Sequence, residues 1–157
     1  MRPNSDKVYL QQLIAEGENQ QQDFKFEISD ARKIARSLSA FANTEGGRLL
    51  IGVKDNGKIA GVRSDEEIYM IEAAATMYCK PKVEMETQTY KVEGKTVLEI
   101  RINETVSKPV YALDEMDKPW AYIRIKDENI LATPVHLKMW QHSKKPEGAL
   151  VTFTERE

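Results

Sequence analysis

The residues of this 157-residue chain best suited to chemistry are acidic, and they fall beside two segments that read as strands. Glu18 and Asp23 stand five positions apart just before and on the first of these, and Asp55 follows the apolar run of the second. If neighbouring strand ends bring the three together, they can hold Mg²⁺ or Mn²⁺, and such an ion activates water and stabilises charge on a phosphodiester. Lys25 lies two residues beyond Asp23, on the same side of an extended chain, where it could meet a phosphate. The same spacing also describes solvated charges on a strand and a turn. Catalytic and metal-ligating roles for Glu18, Asp23 and Asp55 are therefore expectations about where the chain will place them.

Other chemistries find less support. His136 and His142 are six residues apart, which is not a zinc spacing, and Cys79 is the only cysteine. No intrachain disulfide or thiolate cluster can form, and Cys79 reads as a buried structural thiol. No Gly-x-Ser-x-Gly elbow is present. Gly47 and Gly52 have the spacing of a phosphate-binding loop, but Val53-Lys54 follows instead of Lys-Ser or Lys-Thr. That run also reads as a strand rather than a loop opening a helix, which argues against nucleoside-triphosphate hydrolysis of that kind.

The cations are scattered. Arg32, Lys33 and Arg36 lie on the polar side of a predicted helix, and Arg48, Lys54 and Lys58 surround the glycine-rich strand and turn. Trp120, Tyr122, Arg124 and Lys126 share one face of a strand by the period of two, an interleaving that can stack bases and meet phosphates. A solvent face laced with salt bridges would look the same. The formal net charge of −2 excludes a generally basic coat, so binding to a polynucleotide would need a local patch.

Several elements must position these groups. Residues 6–15 read as a short amphipathic helix with Val8, Leu10, Leu13 and Ile14 on one side, stopped near Gly17. Residues 23–28 alternate, with Phe24, Phe26 and Ile28 inward and Asp23, Lys25 and Glu27 outward. Ser29-Asp30 caps a helix running to about Asn43, with Ile34, Leu38 and Phe41 on its core face. Residues 49–53 form a strand buried on both faces, where Gly52 signals the close approach of another backbone or side chain. The Asn56-Gly57 turn returns residues 59–62 as a partner strand. Ser64 and Glu67 read as a capping box for a helix to about Cys79. Strands follow over 83–90, 96–102 and 120–126, then a short helix over 134–141.

Hydrophobic residues make up 41% of the chain and charged residues 31%, a globular balance. The N-terminus is polar and charged, and no apolar run approaches the ~20 residues that span a bilayer. With a single cysteine, these features lead us to expect a cytoplasmic protein with no membrane partner.

Three segments taken in order carry a resemblance. They are Glu18 to Lys25, then Ser39-Ala-Phe-Ala-Asn-Thr-Glu-Gly-Gly47, then Leu50-Ile-Gly-Val-Lys-Asp-Asn-Gly-Lys-Ile-Ala-Gly-Val62. Together they resemble the Schlafen Alba-type domain of bacterial regulators and animal Schlafen proteins, and Lys108-Pro109-Val110-Tyr111 and Ala121 to Ile125 look like later segments of it. The resemblance covers roughly residues 6–132. It implies an α/β (α+β) Alba-like domain with a mixed sheet and about three helices, over 1–142, followed by a polar tail over 143–157. It also implies binding to DNA or RNA and, by analogy with animal Schlafens, a metal-dependent ribonuclease site at Glu18, Asp23 and Asp55. Asp23 departs from the family, which usually has Glu there. The expected function is thus a nucleic-acid-binding, regulatory module using Lys25, Arg32, Lys33, Arg36, Lys54 and Arg124. The alternatives are an endoribonuclease using Mg²⁺ or Mn²⁺, and an adaptor for proteins or nucleotides. A twofold homodimer would lengthen the binding groove.

Overall fold

A computed structural model describes residues 3–143. In chain order the elements are α1 (Pro3–Glu16), β1 (Gln22–Lys25), α2 (Ala31–Asn43), β2 (Gly47–Ile51), α3 (Asp65–Thr76) and β3 (Cys79–Lys80). There follow β4 (Met85–Val92), β5 (Lys95–Ile102), β6 (Tyr111–Leu113), β7 (Pro119–Ile125), β8 (Glu128–Leu131) and α4 (Pro134–Ser143). The mixed α/β class holds, with four helices among the described residues rather than about three. Of the tail expected over 143–157, Ser143 closes α4 and the rest lies outside the described residues.

Two four-stranded sheets form, ordered β1-β2-β5-β4 and β3-β6-β7-β8. In the first, β1 and β2 run parallel and the other pairs antiparallel. Parallel pairing of consecutive strands requires a crossover, and α2 supplies it. Ile34, Leu38 and Phe41 of α2, at 2%, 0% and 0% exposure, occupy the centre of a core that includes Leu49, Ile51 and Ile100 of the first sheet and Val110 and Ala112 beside the second. The other face of the first sheet is covered by α1, through Leu10 and Leu13 against Phe24, Leu50, Tyr90 and Val97.

Several local expectations change. Val8 of α1 is 53% exposed, whereas Asp6 is buried. Strand β1 ends at Lys25, so the alternation read over 23–28 breaks: Phe24 packs under α1 and Ile28 on the opposite side, under α2. Residues 59–62 make only an isolated bridge, Val53 to Ile59. Ser64 makes no side-chain cap; the buried Glu67 instead accepts Arg63 N at 2.8 Å and Ile28 N at 3.4 Å. Helix α3 ends at Thr76, and Cys79 begins a strand, buried, with its thiol pushed up to about 12 by desolvation.

Two expectations hold in detail. Asp30 caps α2 by accepting Arg32 N at 3.0 Å. Gly52 has φ +99°, and a Cβ there would lie 2.9 Å from the Gly61 carbonyl carbon, so the close approach is a backbone one.

Candidate functional site

The Ser39 to Thr44 stretch, the last turns of α2 and its C-cap, is a joint between layers. Strand β7 runs past the end of β6, which leaves backbone groups without a strand partner. Side chains of this stretch take that place: Ser39 Oγ accepts Tyr122 N at 3.0 Å, and Thr44 Oγ1 accepts Arg124 N at 2.9 Å. Asn43 Oδ1 accepts Val110 N at 2.7 Å, and Asn43 Nδ2 donates at 2.9 Å to the carbonyls of both Val110 and Tyr122. Buried peptide groups must be paired, and these polar residues satisfy them at a helix–sheet contact.

That joint fixes the position of Arg124. Its side chain is 2% exposed and crosses from the second sheet to the first. Its nitrogens donate to Asn19 O at 3.0–3.2 Å, to Gln22 O at 3.1 Å and to Asn129 Oδ1 at 2.8 Å, and its guanidinium stacks 4.8 Å from the Phe41 ring. Arg124 Nη2 also lies 3.5 Å from Asp23 Oδ1, while Lys25 Nζ lies 3.1 Å from Asp23 Oδ2. Asp23, 5% exposed, is therefore an interior carboxylate rather than part of a charged outer face.

Glu18 completes this group. It sits in the loop before β1, accepts Phe24 N at 3.1 Å, and its carboxyl makes a side-chain hydrogen bond with Asp23. Desolvation, that hydrogen bond and the negative charges of Asp23 and Asp55 together push Glu18 up to about 7, against the backbone bond from Phe24. Burial alone would raise Asp23 as well. The Glu18 hydrogen bond, Lys25 and Arg124 outweigh it and hold Asp23 below the ordinary carboxylate range. Below about pH 7 Glu18 carries the pair's proton and donates it to Asp23, which remains the anion.

Asp55 is exposed on the turn, near enough to act on Glu18 electrostatically. Among the described residues, no group of three His, Cys, Asp or Glu side chains is arranged to hold a metal ion. Each Asp23 oxygen already faces a cation. As arranged, Glu18 and Asp23 form a hydrogen-bonded carboxyl pair beside Asp55.

The predicted cations scatter. Arg32 is turned to structural use, donating to Asp114 O and to Asp117 Oδ1 at 3.1 Å while stacking 4.2 Å over Tyr78. Arg36 faces Glu115 at 3.9 Å, and Lys33 is exposed on the same helix. On the β7 face, Trp120 and Lys126 are exposed, with Trp120 donating to Asp114 Oδ2 at 2.8 Å, while Tyr122 is half-buried and Arg124 is buried. Arg124 is thus withdrawn from the Trp–Tyr–Arg–Lys row, which leaves Trp120 and Lys126 open at its two ends.

Lys25 and Lys54 are brought to one end of the first sheet, and the fold adds two residues that the sequence reading passed over. Phe26, half-buried just past β1, has Lys54 Nζ 5.0 Å from its ring centre and Arg63 Cζ at 5.4 Å. Arg63 is also 3.6 Å from Glu27 and 3.5 Å from Glu67. The adjacency of Lys25 and Phe26 in sequence was a signal; Arg63 is brought in by the loop before α3 and carried none.

The fold is thus a two-sheet α/β domain organised on one buried helix, with a carboxyl pair and a basic–aromatic ledge at one end of its mixed sheet. The family described as Schlafen, AlbA_2 matches residues 18–133, and the chain belongs to that family. Solved structures share the fold. One is the DIP2311 protein from Corynebacterium diphtheriae, with TM-score 0.60 and 20% identity over 89% of this chain and 28% of that one. Another is the N-terminal domain of a RecG-related protein from Nitrosomonas europaea, provisionally named an ATP-dependent DNA helicase. It has TM-score 0.59 and 24% identity over 80% of this chain and 89% of that one. The chain spans just over a quarter of the length of the C. diphtheriae protein. No curated protein sequence matches it. No described helix is long and apolar enough to cross a membrane. Family membership gives the protein a nucleic-acid-related theme without specifying an activity.

Proposed function

We propose that this protein is a nucleic-acid-binding domain whose contact surface is the ledge formed by Lys25, Phe26, Lys54 and Arg63. The observation that carries this reading is an aromatic ring flanked by two cations at 5.0 and 5.4 Å, on a chain whose net charge is otherwise −2. Aromatic rings stack on unpaired bases, and neighbouring cations neutralise backbone phosphates, so the preferred ligand is single-stranded. The uncharged form of Glu18 beside Asp23 removes one negative charge from the edge of this surface.

Fluorescence anisotropy with labelled single-stranded and duplex oligonucleotides tests this reading. Three phosphate contacts give a slope of log K against log salt of roughly −2 for single strands. Lys54→Gln lowers the slope by about one contact's share, roughly 0.7, while Lys33→Gln on α2 leaves it unchanged. Equal effects of the two substitutions, or no binding at low salt, would remove the proposal. Pairing of two copies would double the surface, and light scattering over a concentration range tests it: a constant monomer mass rules it out.

A further inference from the structure

Strands β1 and β2 begin at the end of the sheet opposite this ledge. A cleft of ≈ 220 Å³ opens there, walled by Gln21, Arg48, Arg101 and Glu104, with Gly46 and Gly47 adding no side chain to it. At about 30 Å³ per water, that is room for about seven water molecules, or a small anion with part of its hydration shell.

Arg48 on β2 and Arg101 on β5 are directly paired across strands, so the two guanidinium groups stand side by side on the face that carries α1. Two like charges in that position repel unless something holds them. Glu99, 0% exposed, lies beneath both, with its Oε2 3.5 Å from Arg48 Nε and 3.6 Å from Arg101 Nε. Its oxygens also accept the hydroxyls of Tyr9 and Tyr90 at 3.0–3.1 Å, which fixes the carboxylate in place. Arg48 Nη1 donates to Gln22 Oε1 at 3.1 Å, whereas Arg101, half exposed at 49%, makes no further hydrogen bond among the described residues.

One buried carboxylate thus offsets one of two guanidinium charges, and the other positive charge borders the cleft. Of the acidic residues on the wall, Glu104 is paired with Lys108 at 2.6 Å, while Glu45 is exposed without an ion pair among the described residues. Glu86, across from Arg101 on β4, forms no ion pair among the described residues. We propose that this cleft binds a phosphoryl group between Arg48 and Arg101, with Glu99 as the positioning residue. A single guanidinium fork satisfies a carboxylate, whereas two adjacent forks suit a tetrahedral group that offers oxygens to each. The phosphoryl group can belong to a nucleotide end or to an internal phosphodiester. The site lies away from Phe26 and does not depend on the ledge being a polynucleotide surface.

The test follows the side-chain Nε–H signals of Arg48 and Arg101 by NMR while inorganic phosphate is titrated against sodium chloride of matched ionic strength. Saturable shifts at both arginines with phosphate, absent with chloride, are expected. Arg101→Gln should weaken binding by about tenfold, the share of one charge-assisted contact. Glu45→Gln should tighten it, because the competing anion at the rim is gone. A short oligonucleotide with a 5′-phosphate binding more tightly than its 5′-hydroxyl counterpart identifies a terminal phosphoryl group, and equal binding identifies an internal one. Absence of saturable shifts, equal response to chloride, or an unchanged response in well-folded Arg101→Gln overturns the proposal, whatever the outcome at the ledge.

Discussion

Arg124 of the second sheet reaches Asp23 of the first, with Nη2 3.5 Å from Oδ1 and both side chains buried. The same guanidinium closes on the carbonyls of Asn19 and Gln22, so one residue ties β7 to the loop and strand that carry the carboxyl pair. Arg124→Ala leaves a buried anion without one of its two cationic partners and removes the guanidinium bonds to Asn19 O, Gln22 O and Asn129 Oδ1. The expected loss in stability is about 3–5 kcal/mol, and Arg124→Lys recovers only part of it because an ammonium lacks the planar fork. Urea denaturation of the three proteins measures the ranking.

The carboxyl pair makes stability depend on pH with a definite sign. Glu18 is raised to about 7 in the folded protein, so folding binds a proton that the unfolded chain releases near 4.5. Stability from this group is full below 4.5 and is lost as pH rises through 7. Asp23 is depressed, so its contribution is present above its ordinary value of 3.8 and is lost as pH falls through its folded value. After discounting for solvent screening, the Glu18 share is on the order of 1 kcal/mol. Glu18→Gln keeps a donor for Asp23 and should flatten the slope between pH 5 and 8; an unchanged slope in thermal melts would contradict this assignment. In the binding reading, oligonucleotide affinity also falls as pH passes 7 and Glu18 becomes charged beside Lys25.

Asn43→Ala deletes the side chain that pairs with Val110 and Tyr122. Val110 N then loses its acceptor and Tyr122 O this donor, while Val110 O keeps Ser39 Oγ at 2.7 Å, for a loss of about 2–3 kcal/mol. Asn43→Asp should be no better, since it removes the donor and buries a charge. Amide exchange at Val110 should quicken in both variants.

Glycine positions separate conformational strain from crowding. Gly17→Ala meets only the cost of φ +75°, since nothing lies within 4 Å of its Cβ, and should lose about 1 kcal/mol. Gly52→Ala adds a clash with the backbone of Gly61 at 2.9 Å to a φ of +99°, and should lose distinctly more, about 3 kcal/mol or beyond. Similar midpoints in chemical denaturation would contradict the close approach.

Manganese provides a direct test of the carboxylate arrangement. With both Asp23 oxygens facing cations, Mn²⁺ should shift the melting temperature by less than about 1 °C. A saturable rise abolished by Asp23→Asn would show that Glu18, Asp23 and Asp55 gather on an ion after all, and would warrant an RNA cleavage assay with the same variant.

The amino-acid sequence by itself determined the elements whose signals are local. The apolar spacing of Ile34, Leu38 and Phe41 with the Asp30 cap defines α2, and the unbroken run through Leu49 and Ile51 defines a doubly covered strand. The order of short motifs from Glu18 to Val62 was enough to place the chain in its family. The sequence could not say which charges are interior. Period-two reasoning put Asp23 and Arg124 on solvent faces because it sees one strand at a time, whereas burial depends on what packs against that strand. Tertiary structure alone decided that Arg124 spans two sheets, that Arg63 comes to rest against Phe26, and that Glu99 sits under two arginines. These are contacts between residues distant in sequence, set by sheet order and by the crossover through α2, and no local pattern encodes them.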